Sequence, residues 1–111
     1  MGQEITNIPK GVGLANLEVF ASTLESLAQA DKTVFAVTSD SRGSGKLVAF
    51  GQKLPAQIVE VGIAEQNLVG MAAGFANEGF KVIASAQACF LSMRSYEQIR
   101  QYSGYMKFPI V

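Results

Sequence analysis

The chain has 111 residues, nine basic and nine acidic side chains, no histidine and one cysteine. Without an imidazole, the chain alone cannot complete a Ser-His-Asp triad, a Cys-His pair or a histidine-ligated zinc site. Zero net charge argues against nucleic acid or an anionic membrane as the main partner. The lone Cys89 excludes an internal disulfide framework, and no apolar run approaches the roughly 20 residues that span a bilayer, so we expect a soluble cytoplasmic domain.

Three signals predict the secondary structure. Apolar residues at three- and four-residue steps indicate helices, short β-rich runs indicate buried strands, and Gly or Pro marks the ends. After an irregular amino-terminal segment at residues 1–13, these signals predict a helix from Asn16 to about Asp31, a strand at 33–38, a short helix at 46–53 closed by Pro55, a strand at 58–61, a helix at 64–77, a strand at 81–86, a helix from Phe90 to about Tyr102 and the start of a strand at 109–111.

The alternation of strands with long helices indicates an α/β fold. Such crossover units build a parallel sheet that is covered by helices on both faces. We expect one core, because a chain of this length buries about two thirds of its extended surface. The sequence stops as a strand begins, which would leave an open sheet edge of the kind that proteins usually cover. We therefore expect the fold to be incomplete at its carboxyl-terminal end.

The Gly-Ser-Gly-Lys stretch at 43–46 invites comparison with a phosphate-binding loop. That motif needs a glycine five residues before its Gly-Lys pair and a Ser or Thr after the lysine. The sequence has Asp40 and Leu47 at these positions, which excludes the motif. A glycine-rich loop at the end of a strand could still present amides to an anion, but a flexible turn is the favoured interpretation.

Two carboxylates follow predicted strands, at the edge where ligands gather in open α/β sheets. Position alone does not decide whether Asp40 faces a ligand or caps the following turn. Glu65 lies in the first turn of a helix of mostly small and apolar residues. The simpler interpretation is that it complements the helix dipole, worth roughly 0.3 to 1 kcal/mol. The alternative is a carboxyl whose pKa is raised by apolar surroundings, so that it exchanges a proton with a ligand.

Phe90, Met93 and Tyr96 recur at three-residue steps on the last predicted helix and share a face with Glu97 and Arg100 nearby. By spacing alone, such a stripe belongs more often to a core than to a cofactor pocket. Cys89 has no histidine to activate it and is interpreted as a buried small residue.

Three blocks carry a family resemblance: Val-Thr-Ser-Asp at 37–40, Val-Glu-Val-Gly-Ile-Ala-Glu-Gln-Asn-Leu-Val-Gly-Met-Ala-Ala-Gly at 59–74, and Ala-Cys-Phe-Leu-Ser-Met-Arg-Ser-Tyr-Glu-Gln-Ile-Arg at 88–100. Together they resemble the pyrimidine-binding domain of the transketolase family, and most closely the carboxyl-terminal subunit of two-chain transketolases. Deoxyxylulose-phosphate synthases are more distant relatives. The resemblance identifies residues 14–111 as a partial, truncated domain of this kind.

This resemblance implies thiamin diphosphate as cofactor. In the family, the glutamate at the Glu65 position hydrogen-bonds the pyrimidine nitrogen opposite the amino group and so takes part in general acid–base catalysis. The assembled enzyme transfers a two-carbon ketol unit between sugars. The Gly-Asp-Gly…Asn motif for magnesium and diphosphate does not occur in this sequence. The resemblance therefore places the magnesium ligands on a diphosphate-binding transketolase subunit, as the partner in a homo- or hetero-oligomer.

The resemblance also assigns the residues of the pocket. Phe90 and Tyr96 match aromatic positions that wall the pyrimidine, and Met93 stands where many transketolases have a third aromatic residue. Asp40 matches an aspartate near the cofactor, and Ser44 lies near a serine that contacts substrate phosphate. The first-helix region lacks the arginine that many transketolases use for substrate phosphate, so the sugar substrate is not assigned.

A second class of function stays open. The chain could be a non-catalytic truncated fragment, or a structural module of the same fold that associates only with itself. In either case we expect the isolated chain to be inactive and to bind little thiamin diphosphate, because the anchor for the diphosphate belongs to another chain.

Overall fold

The computed structural model describes residues 13–111, so the predicted irregular segment at 1–13 lies outside the described residues except for Gly13. Within 13–111, no helix has the length and apolar character needed to cross a membrane. The elements in chain order are α1 (Asn16–Ala30), β1 (Val34–Thr38), α2 (Val48–Lys53), a 3-10 turn (Pro55–Gln57), β2 (Ile58–Glu60), α3 (Glu65–Asn77), β3 (Lys81–Ser85), α4 (Ala88–Arg94), α5 (Tyr96–Gln98) and a π-helical segment (Ile99–Tyr105).

The three strands form one parallel sheet in the order β2-β1-β3. In the central strand, Ala36 lies opposite Ile58 of β2 and Ile83 of β3. Beyond β3, a single parallel bridge joins Val82 to Ile110, at the position of the last predicted strand. Because the strands are parallel, the carboxyl ends of all three lie at one edge of the sheet.

Helices cover both faces of this sheet, which confirms the predicted fold class. Successive side chains of a strand point to opposite faces, and β1 accordingly contributes to two separate buried clusters. One cluster joins the sheet to α1 and α2, and the other joins it to α3. Their fully buried members are Leu24, Ala28, Val34, Ala36, Leu47, Phe50 and Ile58 in the first, and Val37, Leu68, Val69, Ala72 and Val82 in the second.

The first helix buries a narrower stripe than its sequence predicts. Leu24 and Ala28 are buried and Phe20 packs against their cluster, whereas Leu17 and Leu27 are 41% and 55% exposed. α1 therefore contacts the sheet along residues spaced by four, and apolar residues displaced from that line face outward.

The last predicted helix is not continuous. Ser95 is fully buried, and its hydroxyl donates to the carbonyl of Leu91 one turn earlier, an interaction that bends helices. After this break the chain forms α5 and then the π-helical segment, where the amide of Met106 donates to the carbonyl of Gln101 at 2.9 Å. Side chains before and after Ser95 therefore do not share one continuous helix face.

Candidate active site

A cavity of about 200 Å³ lies at the carboxyl edge of the sheet. The loops after β1, β2 and β3 and the helix α4 line it. The connections from β1 and β2 run in opposite directions across the sheet, and ligands bind at such switch points in open α/β folds. Four of the predicted site residues line this cavity together, namely Asp40, Ser44, Glu65 and Phe90.

Glu65 is the first residue of α3, and it is only 5% exposed. Its carboxylate oxygens accept hydrogen bonds from Nη1 of Arg94 at 3.3 and 3.4 Å, and Oε1 lies 3.5 Å from the hydroxyl of Ser39. The predicted apolar surroundings are therefore incomplete, because one side of the carboxyl faces a guanidinium group. The position in the first turn still suits a carboxylate, but these partners lie on the β1 loop and α4, across the cavity from α3.

Phe90 contributes an aromatic face that Arg94 covers. The guanidinium carbon of Arg94 lies 4.0 Å from the centre of the Phe90 ring, the geometry of a cation–π contact. On an α-helix, residues four apart are separated by about 40° around the axis, and residues three apart by about 60° in the other direction. Arg94 rather than Met93 therefore shares the cavity-facing side of α4 with Phe90.

Met93 and Tyr96 lie outside this cavity, with 79% and 67% of their surface exposed. Both belong to the predicted stripe, but the break at Ser95 separates Tyr96 from α4. Cys89, interpreted from the sequence as buried, is exposed, because α4 has no fully buried residue.

The loop after β1 is held by a residue that the sequence analysis did not single out. Glu60 Oε1 accepts hydrogen bonds from the amides of Asp40 at 2.7 Å and Gly62 at 2.9 Å, while Oε2 lies 3.4 Å from Nε of Arg42. Both amides belong to residues in the left-handed region, with φ of 48° and 74°. Within residues 13–111 the carboxylate of Asp40 forms no hydrogen bond of its own, so it does not cap the following turn.

The glycine-rich loop forms a structured turn. The Ser44 hydroxyl donates to the carbonyl of Ser41 at 3.2 Å, and the Gly45 amide donates to the same carbonyl at 2.8 Å. The amides of Lys46 and Leu47 are also bonded within the turn. These three amides are therefore already engaged, which agrees with the turn interpretation of this stretch.

The two residues missed by the sequence analysis leave unequal signals. An aromatic residue followed four positions later by an arginine on a predicted helix is a known side-chain pairing, so Phe90 and Arg94 could have been linked. Glu60 lies 20 positions from the Asp40 amide that it binds, and no local pattern indicates such a contact.

The arrangement combines a buried carboxylate, a flat aromatic face and a guanidinium within one small cavity. A carboxylate accepts hydrogen bonds from a ligand or holds a proton for it, and an aromatic face binds planar rings. No cluster of three or more His, Cys, Asp or Glu side chains that could hold a metal ion occurs in the part of the chain that the structure describes.

Comparison with known proteins gives a consistent family. The family model described as "Transketolase, pyrimidine binding domain" matches residues 13–111. One of the two subunits of an apulose-4-phosphate transketolase from Phocaeicola vulgatus is 52% identical over 81 residues, which cover 73% of this chain and 26% of that protein. A 1-deoxy-D-xylulose-5-phosphate synthase from Desulforudis audaxviator is 35% identical over 105 residues, 95% of this chain and 16% of the synthase.

A solved structure has the same fold. It is described as a split gene transketolase, inactive β4 tetramer, and it matches with a TM-score of 0.78 and 34% sequence identity. The match covers 88% of this chain and 32% of the solved chain. The chain therefore spans about a quarter or less of these two curated relatives and about a third of the solved one.

Proposed function

This chain belongs to the family of transketolase pyrimidine-binding domains, and we propose that it supplies the pyrimidine-binding side of a thiamin diphosphate site. In this proposal a diphosphate-binding partner chain completes the site, and the assembled enzyme transfers a two-carbon ketol unit between sugars. The observation that carries the proposal is the carboxylate of Glu65, 5% exposed, in one cavity with the ring of Phe90.

The cavity suits one ring of the cofactor. Its volume of about 200 Å³ is below the roughly 300 to 1,000 Å³ of pockets that enclose a complete drug-sized ligand. Glu65 offers a buried acceptor to a ring nitrogen that carries a proton, and Phe90 offers a face on which the ring can stack. The remainder of the cofactor would lie toward the partner chain.

When bound, thiamin diphosphate supplies the nucleophilic carbon and the electron sink. Glu65 holds a proton at the ring nitrogen opposite the amino group, the general acid–base role that its burial beside a ligand cavity supports. Phe90 stacks on the ring and excludes water. Asp40 lies at the rim near the cofactor, and Ser44 at the same rim contacts the substrate.

Met93 and Tyr96 are proposed to contact the cofactor from outside the cavity. Their exposure of 79% and 67% leaves both side chains free, within residues 13–111, to complete the pyrimidine wall when a partner docks. The thioether of Met93 can replace an aromatic neighbour there, because sulfur makes favourable contacts with rings.

We propose that the magnesium ligands and the diphosphate anchor lie on the partner chain. A relative named as a transketolase subunit and another described as a split gene transketolase support a two-chain enzyme. The free, exposed Cys89 suits a reducing cytoplasm.

A second candidate is a self-associated, inactive form of the same chain. The observation that favours it is the description of the solved relative as an inactive β4 tetramer. An isolated chain of this kind would assemble with its own copies and would not bind the diphosphate.

Mixing the chain with a diphosphate-binding transketolase subunit, thiamin diphosphate and Mg²⁺ tests the proposal. We expect ketol transfer from a ketose to an aldose in the mixture, with neither chain active alone. Glu65→Ala should abolish the activity. The control is Glu78→Ala, just past the other end of α3, which should keep it. Full activity of the Glu65 variant would refute the role of Glu65. A homo-oligomer that stays inactive with every such partner would favour the second candidate.

A further inference from the structure

The guanidinium of Arg94 occupies the two groups that the proposed function reserves for the pyrimidine. It donates to both oxygens of the Glu65 carboxylate, at 3.3 and 3.4 Å. It also lies over the Phe90 ring, with its central carbon 4.0 Å from the ring centre. A guanidinium is planar, carries N–H donors at its edge and stacks on aromatic faces. An aminopyrimidine that carries a proton on its ring nitrogen has the same three properties.

We infer that Arg94 is an internal ligand that closes the free pyrimidine pocket, and that an incoming pyrimidine must displace its guanidinium from Glu65 and Phe90. Arg94 thereby becomes a specificity-determining residue of this site. The inference rests on the proposed function, because it takes the pyrimidine as the ligand of Glu65.

The surroundings of Arg94 allow this displacement. Its side chain is 49% exposed, whereas that of Glu65 is 6% exposed, so the guanidinium has room to move and the carboxylate does not. Arg94 ends α4 next to the break at Ser95, and the side-chain amide of Gln66 donates to its backbone carbonyl at 3.0 Å. The backbone is therefore tied to α3, while the side chain can swing toward solvent.

Displacement also selects the ligand. Removal of the guanidinium leaves a buried carboxylate that needs a new donor, since an unpaired buried charge is strongly unfavourable. A flat ring without a donor at its edge replaces the stacking on Phe90 but leaves Glu65 unpaired. A donor without a flat face pairs Glu65 but leaves Phe90 bare. Only a planar heteroaromatic with an edge donor restores both contacts.

Calorimetric titration of the chain with 4-amino-5-hydroxymethyl-2-methylpyrimidine measures this competition directly. We expect Arg94→Gln to bind the pyrimidine about three- to ten-fold more tightly than the wild type, the range set by one partly exposed ion pair. Arg94→Lys keeps the charge but loses the planar fork, and its affinity should lie between the two. The matched control is Arg100→Gln, which removes an arginine paired to Glu97 at the surface and should leave the affinity unchanged.

A ligand-independent readout is the ¹⁵N NMR spectrum of the arginine side chains. In the free chain, the Arg94 guanidinium should show restricted rotation, which Glu65→Gln should release and the pyrimidine should also release. Free rotation of Arg94 in the wild type would overturn the inference whether or not the chain binds a pyrimidine. Equal or weaker binding by Arg94→Gln would overturn it as well. Binding by the wild type with the Arg94 contact intact overturns the inference alone, whereas no binding by any variant, with that contact present, overturns the proposed function and the displacement together.

Discussion

Replacement of Glu60 by alanine should loosen the rim of the site without touching the cavity. The carboxylate accepts hydrogen bonds from the Asp40 and Gly62 amides at 2.7 and 2.9 Å, and it thereby joins the loops after β1 and β2. Both amides lie near solvent, so each bond contributes about 1 kcal/mol, toward the middle of the range for single hydrogen bonds. The ion pair with Arg42, with side chains 36% and 33% exposed, adds at most a few tenths of that.

The expected loss of unfolding free energy is therefore about 2 kcal/mol for Glu60→Ala. Glu60→Gln keeps one neutral acceptor oxygen and should lose about half as much. Urea denaturation followed by circular dichroism measures both values, with an unchanged dependence on urea as evidence that the folded state stays compact. Glu78→Ala, an exposed carboxylate at the end of α3, serves as the control and should stay near the wild type. A loss below about 0.5 kcal/mol for Glu60→Ala, the usual scatter of surface substitutions, would refute this account of the rim.

Three further predictions concern residues outside the cavity. Hydrogen bonds from Lys81 and from Thr33 hold the pKa of Asp31 well below its ordinary value of 3.8, so its stabilisation is present above that pH and is lost as the pH falls below it. Asp31→Asn should therefore flatten the acid-induced decline in unfolding free energy, measured by urea denaturation between pH 5 and pH 2. The buried side-chain amide of Gln57 donates to three backbone carbonyls, at 2.8, 3.0 and 3.2 Å, and Gln57→Leu should lose roughly 2 to 4 kcal/mol of unfolding free energy; a smaller loss than for Glu60→Ala would contradict this. Gly62 has open space around it but a φ of 74°, so Gly62→Ala should lose about 1 kcal/mol by the same assay, and a loss no greater than that of Gly43→Ala, at a position without positive φ, would refute the assigned strain.

The regular elements followed from local patterns in the sequence. The helix predicted at 64–77 is found as α3 at Glu65–Asn77, because its apolar period continues through the whole element and Gly79 follows its end. The helix predicted to end near Asp31 ends at Ala30, since the Asp31 carboxylate accepts a bond from the Thr33 amide at 2.8 Å and turns the chain toward β1. Signals of this kind lie within a few residues of the structure that they determine.

The break in the last predicted helix could not be read in the same way. The apolar residues Leu91 and Ile99 continue the helical period across it, and a serine is compatible with a helix interior. The hydroxyl of Ser95 bonds backward to Leu91 only because the residue is fully buried there. That choice is made by tertiary packing, and it removes Tyr96 from the face of Phe90.

The candidate site was predictable in part. The edge rule for parallel sheets placed Asp40 and Glu65 together, and the family resemblance added Ser44 and Phe90. The partner of Glu65 lies 29 positions away at Arg94. A charge at an exposed helix end resembles any surface charge in the sequence, so its role emerges only from the folded chain.

The central claim is that Glu65 shares a proton with the pyrimidine nitrogen opposite the amino group. The most direct measurement is the ¹⁵N resonance of that nitrogen in labelled thiamin diphosphate, bound to the complex of this chain with a diphosphate-binding subunit. The account predicts a resonance shifted toward the protonated position in the wild type and a neutral-like resonance in Glu65→Gln. The same resonance in both proteins would contradict it.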